Sequence, residues 1–460
     1  MRQTVLDTLE CLVYFRSMDN KMTAPSTVAQ RDAFCLSALV RVCPPALVDE
    51  VIERCGCKEE RVRLLPARFV LYYVLGLALF TDSGYREVMR QLVDGLHPVV
   101  DDIPHWHVPG NASIVEARAR LGPEPLQELF RVIAQPLGHA GDRNVWYHGR
   151  WRVMAIDGLR LDVADTEAND TAFERPGHSR GVGSAYPQVQ VVGLAETGSH
   201  AYVGLALGGC RQGETTLARE LLPCLQPDML CLADRNFFSY DLWRAVGERG
   251  AERLWRVKKN LRLDPVRRLA DGSYLAYVYP SPVARKHQRD GILVRVIEFV
   301  VDDPGRGTEL PVYRLITSLL DPGAAPTKEL AVLYCHRWEF ETANDELKTH
   351  LRGAGRVLRS KLPDGVRQEV YAHFLTHYAV RALMYEAACP RPGGQPSPQI
   401  RDVRSQLGDL AHAQYIPGGQ LLATVRAHRQ EEGDLGHRQK EPGRGAHLAL
   451  AQRQLHGVGG

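Results

Sequence analysis

The sequence predicts an α/β protein, with an all-α N-terminal domain ahead of a mixed sheet with helices. Three observations predict it. Apolar residues recur near a 3.6-residue period from Ala33 to about Gly138. From Trp151 the period moves toward two, and a second β-like stretch fills 254–320. Helical texture then returns from Thr327 to about Ala388. At 460 residues the chain is long enough for two or three domains, each with its own core.

Residues 1–32 show no sustained periodicity and read as a weakly ordered extension, upstream of a natural start at Met22. A helical domain follows over 33–145. LVDEVIERC, FVLYYVLGLALF, YREVMRQLVDGL and SIVEARARLGPEPLQELFRVIAQPL carry its period, with PGN at 109–111 as a turn. Arg61, Arg63, Arg68, Arg118 and Arg120 cluster around these helices. They suit a DNA-binding unit, and equally the solvated faces of ordinary helices. WRVMAIDG, LRLDVADT, YPQVQVVGLAE and HAYVGLALGG read as successive strands. MLCLADRNFF (229–238) reads as a buried strand running into a helix start. LWRVKKNLRL, SYLAYVYP, ILVRVIEFVV and VYRLITSLL make a β-rich region at about 254–322, punctuated by DG, DDPG and DPG turns. Pro326-Thr327 opens a long helix, and VRQEVYAHFLTHYAVRALMYEAA forms another. Residues 390–460 are rich in Gly, Gln, Arg and His with little periodicity, a low-order tail.

The formal charge of +3 is nearly neutral, so bulk charge neither demands nor excludes a nucleic-acid partner. Arg far outnumbers Lys, and Arg suits bidentate phosphate contacts. The longest apolar run, at 69–80, is 12 residues, too short to span a bilayer. No membrane partner is expected. The N-terminus lacks the pattern of a signal peptide. Ten Cys are scattered without zinc-type C-x2-C pairs, which suggests reduced thiols in a cytosol.

Within YCHRWEFETANDELKTHL (334–351), Tyr334, Arg337, Glu341 and Lys348 fall at roughly 0°, 300°, 340° and 320° on a single helix. They form one narrow polar stripe beside an apolar one of Leu333, Phe340, Leu347 and Leu351. Two further acids stand out. Asp157 ends or interrupts the first strand of the β region, and Asp234 ends the buried strand LCLAD. Active sites of open α/β sheets gather where strands end, so Asp157 and Asp234 become neighbours if their strands are adjacent, with Glu341 reaching in from the helix. Three converging carboxylates need cations, and Mg²⁺ accepts carboxylates while leaving positions for phosphate and water. Two ions about 3.5–4 Å apart serve in-line phosphodiester cleavage. The stripe from Tyr334 to Lys348 is about 21 Å long, enough to follow several nucleotides. Plainer readings stand beside these. Asp157-Gly158 also fits a hairpin turn, Asp234 also fits an N-cap, and Glu341 also fits an i, i+4 pair with Arg337. Asp345 competes with Glu341, and Asp162, Asp165 and Asp170 with Asp157.

Tyr334-x2-Arg337-x3-Glu341-x6-Lys348 resembles the Y-R-E-K signature of the insertion-sequence-four family of DDE transposases at every position and spacing. AIDG around Asp157 and LADRNFFSYDLW around Asp234 are similar to that family's first and second aspartate motifs. The likeness extends from about residue 33 to 389. It implies a ribonuclease-H-like catalytic domain over 150–389 with a β-rich insertion between the second Asp and the Glu. It implies Asp157, Asp234 and Glu341 as catalytic carboxylates holding two Mg²⁺ ions, for which Mn²⁺ substitutes. It further implies cleavage at transposon ends, 3′-OH strand transfer into target DNA, and a bacterial, nucleoid-associated protein in the cytoplasm. On this likeness Tyr334, Arg337 and Lys348 grip phosphates of double-stranded DNA, and Arg235 is a further contact. Trp255 is the candidate for stacking a flipped base, against its plainer reading as a core Trp. Synapsis of two ends implies a dimer on DNA. The family continues past 389 with a structured basic segment that 391–460 does not resemble, so a reading frame disrupted near 390 is expected. The rivals are a catalytically inactive DNA-binding inhibitor of transposition, a nuclease of the same fold that cuts without joining, and an enzyme using Tyr334 as nucleophile.

Overall fold

The computed structural model describes residues 39–61, 64–96, 108–176, 185–300, 312–347 and 355–388, with a two-residue strand at 426–427. The helical part holds α1 (Pro45–Arg54), α2 (Ala67–Leu79), α3 (Tyr85–Leu96), α4 (Asn111–Leu121) and α5 (Glu124–Ile133). The helix α2 is apolar on every side and buried almost end to end, as such a helix must be. The pattern SIVEARARLGPEPLQELF breaks into α4 and α5. Gly122 takes φ +69° at the end of α4, and Pro123, with no N–H to offer, precedes α5.

The sheet region runs β1 (Trp146–Tyr147), β2 (Trp151–Asp162), α6 (Glu167–Phe173), β3 (Gln188–Glu196), β4 (Tyr202–Gly209), α7 (Glu214–Glu220), β5 (Met229–Ala233), α8 (Tyr240–Glu248) and β6 (Glu252–Arg256). It continues through β7 (Arg267–Arg268), β8 (Tyr274–Val278), α9 (Pro282–Lys286), β9 (Ile292–Val300) and β10 (Val312–Thr317). Then come α10 (Thr327–Cys335), α11 (Trp338–Asp345), α12 (Pro363–Ala388) and the short β11 (Arg426–Ala427). The spatial order is β4-β3-β2-β5-β6-β10-β9-β8-β7. β2, β3 and β4 form an antiparallel meander, and β5 and β6 add in parallel on the other edge of β2. That is the ribonuclease-H-like arrangement. The β-rich region does not form a sheet of its own: β10 pairs antiparallel with β6, so β7–β10 extend the same sheet.

WRVMAIDG and LRLDVADT are not two strands but the single twelve-residue β2. Alternation along it divides the interior. Val153, Ala155, Leu159 and Leu161 face a core shared with the N-terminal helices, α10, α11 and α12. Met154 and Ile156 face a second core, with Leu217 of α7 and Trp243 of α8. The helix α12 ties the parts together, since it packs against α2, α4 and α5 on one side and against β4 on the other.

Candidate active site

Period two places the acids. In β2, Asp157 shares the parity of Val153 and Ala155, so it faces the side of the sheet covered by α10 and α11. In β5, Leu230 and Leu232 face that same side, and Asp234, immediately past the strand, follows them. The parallel register ends with Ile156 opposite Ala233, so Asp157 and Asp234 are the next residues of adjacent strands. Adjacent strands of a sheet run about 4.8 Å apart, so the two acids leave neighbouring strands at the same level. Asp157 sits in mid-strand opposite Gly193 and makes no hairpin. Asp234 caps no helix, because α8 begins at Tyr240 and is capped by Ser239 Oγ, which accepts from Leu242 N–H.

The third acid arrives through a break in a helix. The segment expected as one continuous helix is two, α10 and α11, joined by a tight turn. His336 N–H donates to Leu333 O, Arg337 N–H to Tyr334 O, and Phe340 N–H to Arg337 O, all three-residue spacings. Of the polar stripe, Tyr334 lies in α10, Arg337 in the turn and Glu341 in α11. Gly193 allows α11 its position: a Cβ there would lie 3.3 Å from the Phe340 ring and 2.9 Å from Tyr202.

Arg337 joins the two elements. Its Nη1 donates to Asp157 Oδ2 at 2.9 Å and its Nη2 to Glu341 Oε1 at 2.8 Å. One guanidinium thus spans Asp157 and Glu341, a carboxylate from the sheet and one from α11. The plainer i, i+4 pair of Glu341 is real and is part of this bridge. Burial pushes the Asp157 carboxyl up to about 6, against the pull of Arg337 and the Gly158 N–H, and Glu341 and Glu214 add to the rise. Asp157 is thus a carboxylate whose charge the fold does not fully satisfy. Asp162, Asp165 and Asp170 are engaged elsewhere, with Gln188 and Arg175.

Two of the expected phosphate-gripping residues, Tyr334 and Arg337, are not displayed to solvent. Tyr334 is buried, with its hydroxyl turned toward Ala233 O at 3.4 Å. Burial holds its phenol well above the usual range, a poor setting for a nucleophile. Arg337 is buried as well. Arg235 is exposed beside Asp234, and Lys348 lies outside the described residues. Trp255 is a correction. It belongs to the opposite face of the sheet from the acids, fully buried, with its ring 5.2 Å from that of Trp243. In β6 residue 254 points toward the acids and residue 255 away, so the core reading holds.

Residues 135–378 match the family described as "Transposase DDE domain", and residues 34–131 match "Insertion element 4 transposase N-terminal". The chain belongs to the DDE transposase family. The transposase is 30% identical over 358 residues to the transposase InsG for insertion sequence element IS4 of Escherichia coli (strain K12), covering 77% of each chain. It is 28% identical over 195 residues to the putative transposase InsZ of the same strain, covering 42% of this chain and 62% of that one. Among solved structures it is similar to a piggyBac transposase synaptic complex with hairpin DNA, at TM-score 0.37 and 9% identity, covering 88% of this chain and 77% of that chain.

Sequence reasoning missed Arg256 of the transposase. It ends β6 on the face of the acids, 3.8 Å from Asp234 Oδ1, with its guanidinium 4.4 Å from the Tyr313 ring centre. Parity puts it on that face, two residues past Leu254, but only the pairing of β6 with β5 brings it beside Asp234. Among the described residues, no three acids, histidines or cysteines are already gathered tightly enough to hold an ion. Arg337 stands between Asp157 and Glu341, and Arg256 pairs with Asp234. The donor set nonetheless fits a hard divalent cation: oxygen ligands only, two of them adjacent in register, one with its pKa pushed up by burial. Among the described residues, no helix is long and apolar enough to cross a membrane, and the seven cysteines are free thiols.

Proposed function

We propose that the transposase cuts double-stranded DNA at the ends of its element by metal-dependent hydrolysis and transfers the freed 3′-OH into target DNA, acting as a dimer on DNA. Asp157, Asp234 and Glu341 would hold the divalent ions, Mg²⁺ or in its place Mn²⁺. The observation that supports this best is the register that makes Asp157 and Asp234 neighbours, with Arg337 tying Glu341 to Asp157. When bound, such ions supply an activated attacking oxygen and charge relief for the leaving one. The rest is the work of the chain. Arg337 keeps the acids together in the free protein by lending them positive charge. Once the acids are neutralised otherwise, its planar fork is free to take a phosphate bidentately. Arg256 and Arg235 place further positive charge beside Asp234 for the backbone next to the cut. Tyr334 keeps its proton and buttresses the end of β5.

The test uses the full chain and a plasmid carrying the two segments that flank its own coding sequence. With Mg²⁺, the wild-type protein nicks at the segment ends, and pre-cleaved 3′-OH ends are joined to a second plasmid. Asp157→Asn, Asp234→Asn and Glu341→Gln each lower the nicking rate by about 10³-fold or more while DNA binding persists. Binding without nicking by the wild-type protein selects the inhibitor. Nicking without joining selects the nuclease, and a phosphotyrosyl adduct selects the Tyr334 nucleophile.

A further inference from the structure

At the end of α11, about 140° round the helix from Glu341, Glu346 turns inward. Its Oε1 lies 3.0 Å from His200 Nδ1 and 3.5 Å from Arg381 Nη1, and its Oε2 lies 3.2 Å from His377 Nε2. The other nitrogen of His200 lies 3.2 Å from Glu339 Oε2, so one imidazole bridges two carboxylates of the same segment. Tyr202 OH donates to Asn344 Oδ1 at 2.6 Å, and the Tyr202 ring packs edge-on against Phe340. The partners come from two directions: His200 from the turn between β3 and β4, His377 and Arg381 from α12. His200 is held at φ +60°, a backbone region that costs a residue with a Cβ. The turn keeps a histidine where a glycine would sit more easily.

The charges balance. Burial opposes ionisation of Glu346, but Arg381 and His200 hold its carboxyl well below the usual range. Burial and Arg381 push His200 down, and Glu346 and Glu339 outweigh them. Burial holds His377 toward its neutral form. A buried ionic group of this kind is weak support for overall stability, because an apolar replacement often does as well. What it supplies is direction: a carboxylate with fixed donors on two elements admits one placement of its helix.

We propose that Glu346 is a positioning residue for the reaction. Clamped by His200, His377 and Arg381, it sets α11 against the β3–β4 turn and α12 so that Glu341 stands opposite Asp157. This rests on the reading of Glu341 as a catalytic carboxylate. Its effect is on rate and on the order of α11, with DNA affinity left alone.

The experiment compares full-length wild type, Glu346→Gln, Glu346→Asp, His200→Gln and Glu341→Gln. Hydrogen exchange reads the backbone amides of 339–345, mobility shift reads affinity for the flanking-segment DNA, and single-turnover nicking reads rate in Mg²⁺. Glu346→Gln and His200→Gln should speed exchange in α11 and lower the nicking rate by about tenfold to a hundredfold, the range expected for an ångström-scale misplacement. DNA affinity stays within about twofold in both, since phosphate contacts set it, and Glu346→Asp restores part of the rate. His200→Gln decides the matter if Glu346→Gln does not fold, because it breaks the clamp from the sheet side. Unchanged α11 exchange in the folded variants overturns the proposal. So does a rate loss no larger than the unfolded fraction. A wild-type protein that nicks no faster than Glu341→Gln refutes the reading of the site instead, and the exchange data then still decide whether Glu346 clamps α11.

Discussion

Asp157 carries the largest conflict between stability and function in the described site. Its folded pKa, about 6, is raised from an unfolded 3.8. The folded state therefore binds the extra proton between those values, and stability falls as pH rises through them. Asparagine mimics the protonated form. Asp157→Asn should stabilise the metal-free protein at pH 7.5 by about 3 kcal/mol while abolishing nicking, and should change little at pH 4. Urea titration at the two pH values checks this, and a destabilised variant at pH 7.5 would refute the assignment of strain to Asp157. Trp255 offers the reverse case. As a core residue beside Trp243, Trp255→Ala should cost about 3–5 kcal/mol of unfolding free energy. A residue that only stacks a DNA base would cost almost none in the absence of DNA.

At the scale of elements, the site depends on where α10 and α11 begin. The first residue of α10 is capped from outside its own segment: Thr327 N–H and Oγ1 both donate to Asp271 Oδ2, on the turn between β7 and β8. Arg295 of β9, fully buried, bonds the same carboxylate and donates to Ala325 O at 2.6 Å. The β-rich region thereby holds the start of the helix that leads to Arg337. Despite burial, bonds from Ser273 and Thr327 and the charge of Arg295 bring the Asp271 carboxyl down to about 2. A depressed pKa stabilises above the unfolded value and is lost as pH falls through the folded one. Wild type should therefore lose stability between about pH 4 and pH 2 through this group, and Asp271→Asn should lose less over that window. Acid-limb urea midpoints report it. Gly193 acts at the other end. Gly193→Val should drive the Phe340 and Tyr202 rings back, cost about 1–3 kcal/mol and slow nicking by moving α11.

Sequence patterning made most of these elements legible, and the places where it failed share a cause. The strand MLCLA, the helix 363–388 and the buried helix at 67–79 follow from period and composition alone. The carboxylate assignments came from spacing plus family likeness, since each acid alone also fitted a turn, a cap or a helix pair. Three features escaped. The kink between Tyr334 and Arg337 leaves the helical period nearly intact, so no pattern marks it. The fusion of β2 into one strand hides behind Asp157-Gly158, a pair that reads as a turn until its partner Gly193 is known. The position of Arg256 depends on β6 lying beside β5, which is a matter of topology, and no local signal encodes it.

Over the whole molecule, the N-terminal helices and the sheet share one core, so each side buries the other. Arg118 of α4 shows the coupling. Buried, it donates to Gln368 Oε1 at 3.0 Å, Ser360 Oγ at 2.9 Å and Gly365 O at 3.1 Å, and lies 3.7 Å from Glu369. Arg118→Ala leaves Glu369 buried without its cation and should cost about 3–5 kcal/mol. Because the core is continuous, the loss should appear in a single calorimetric transition that includes both parts, and two separated transitions would contradict the shared core. The same continuity bears on catalysis: α12 packs on α2, α4 and α5 and also supplies His377 and Arg381 to the clamp on α11.

The most direct measurement is anomalous diffraction from crystals of the full chain soaked in Mn²⁺. Manganese peaks between Asp157, Asp234 and Glu341, with Arg337 drawn off Asp157, are the predicted result. An Arg337 that still bridges Asp157 to Glu341, with no manganese at these three side chains under saturating soak, would contradict the account.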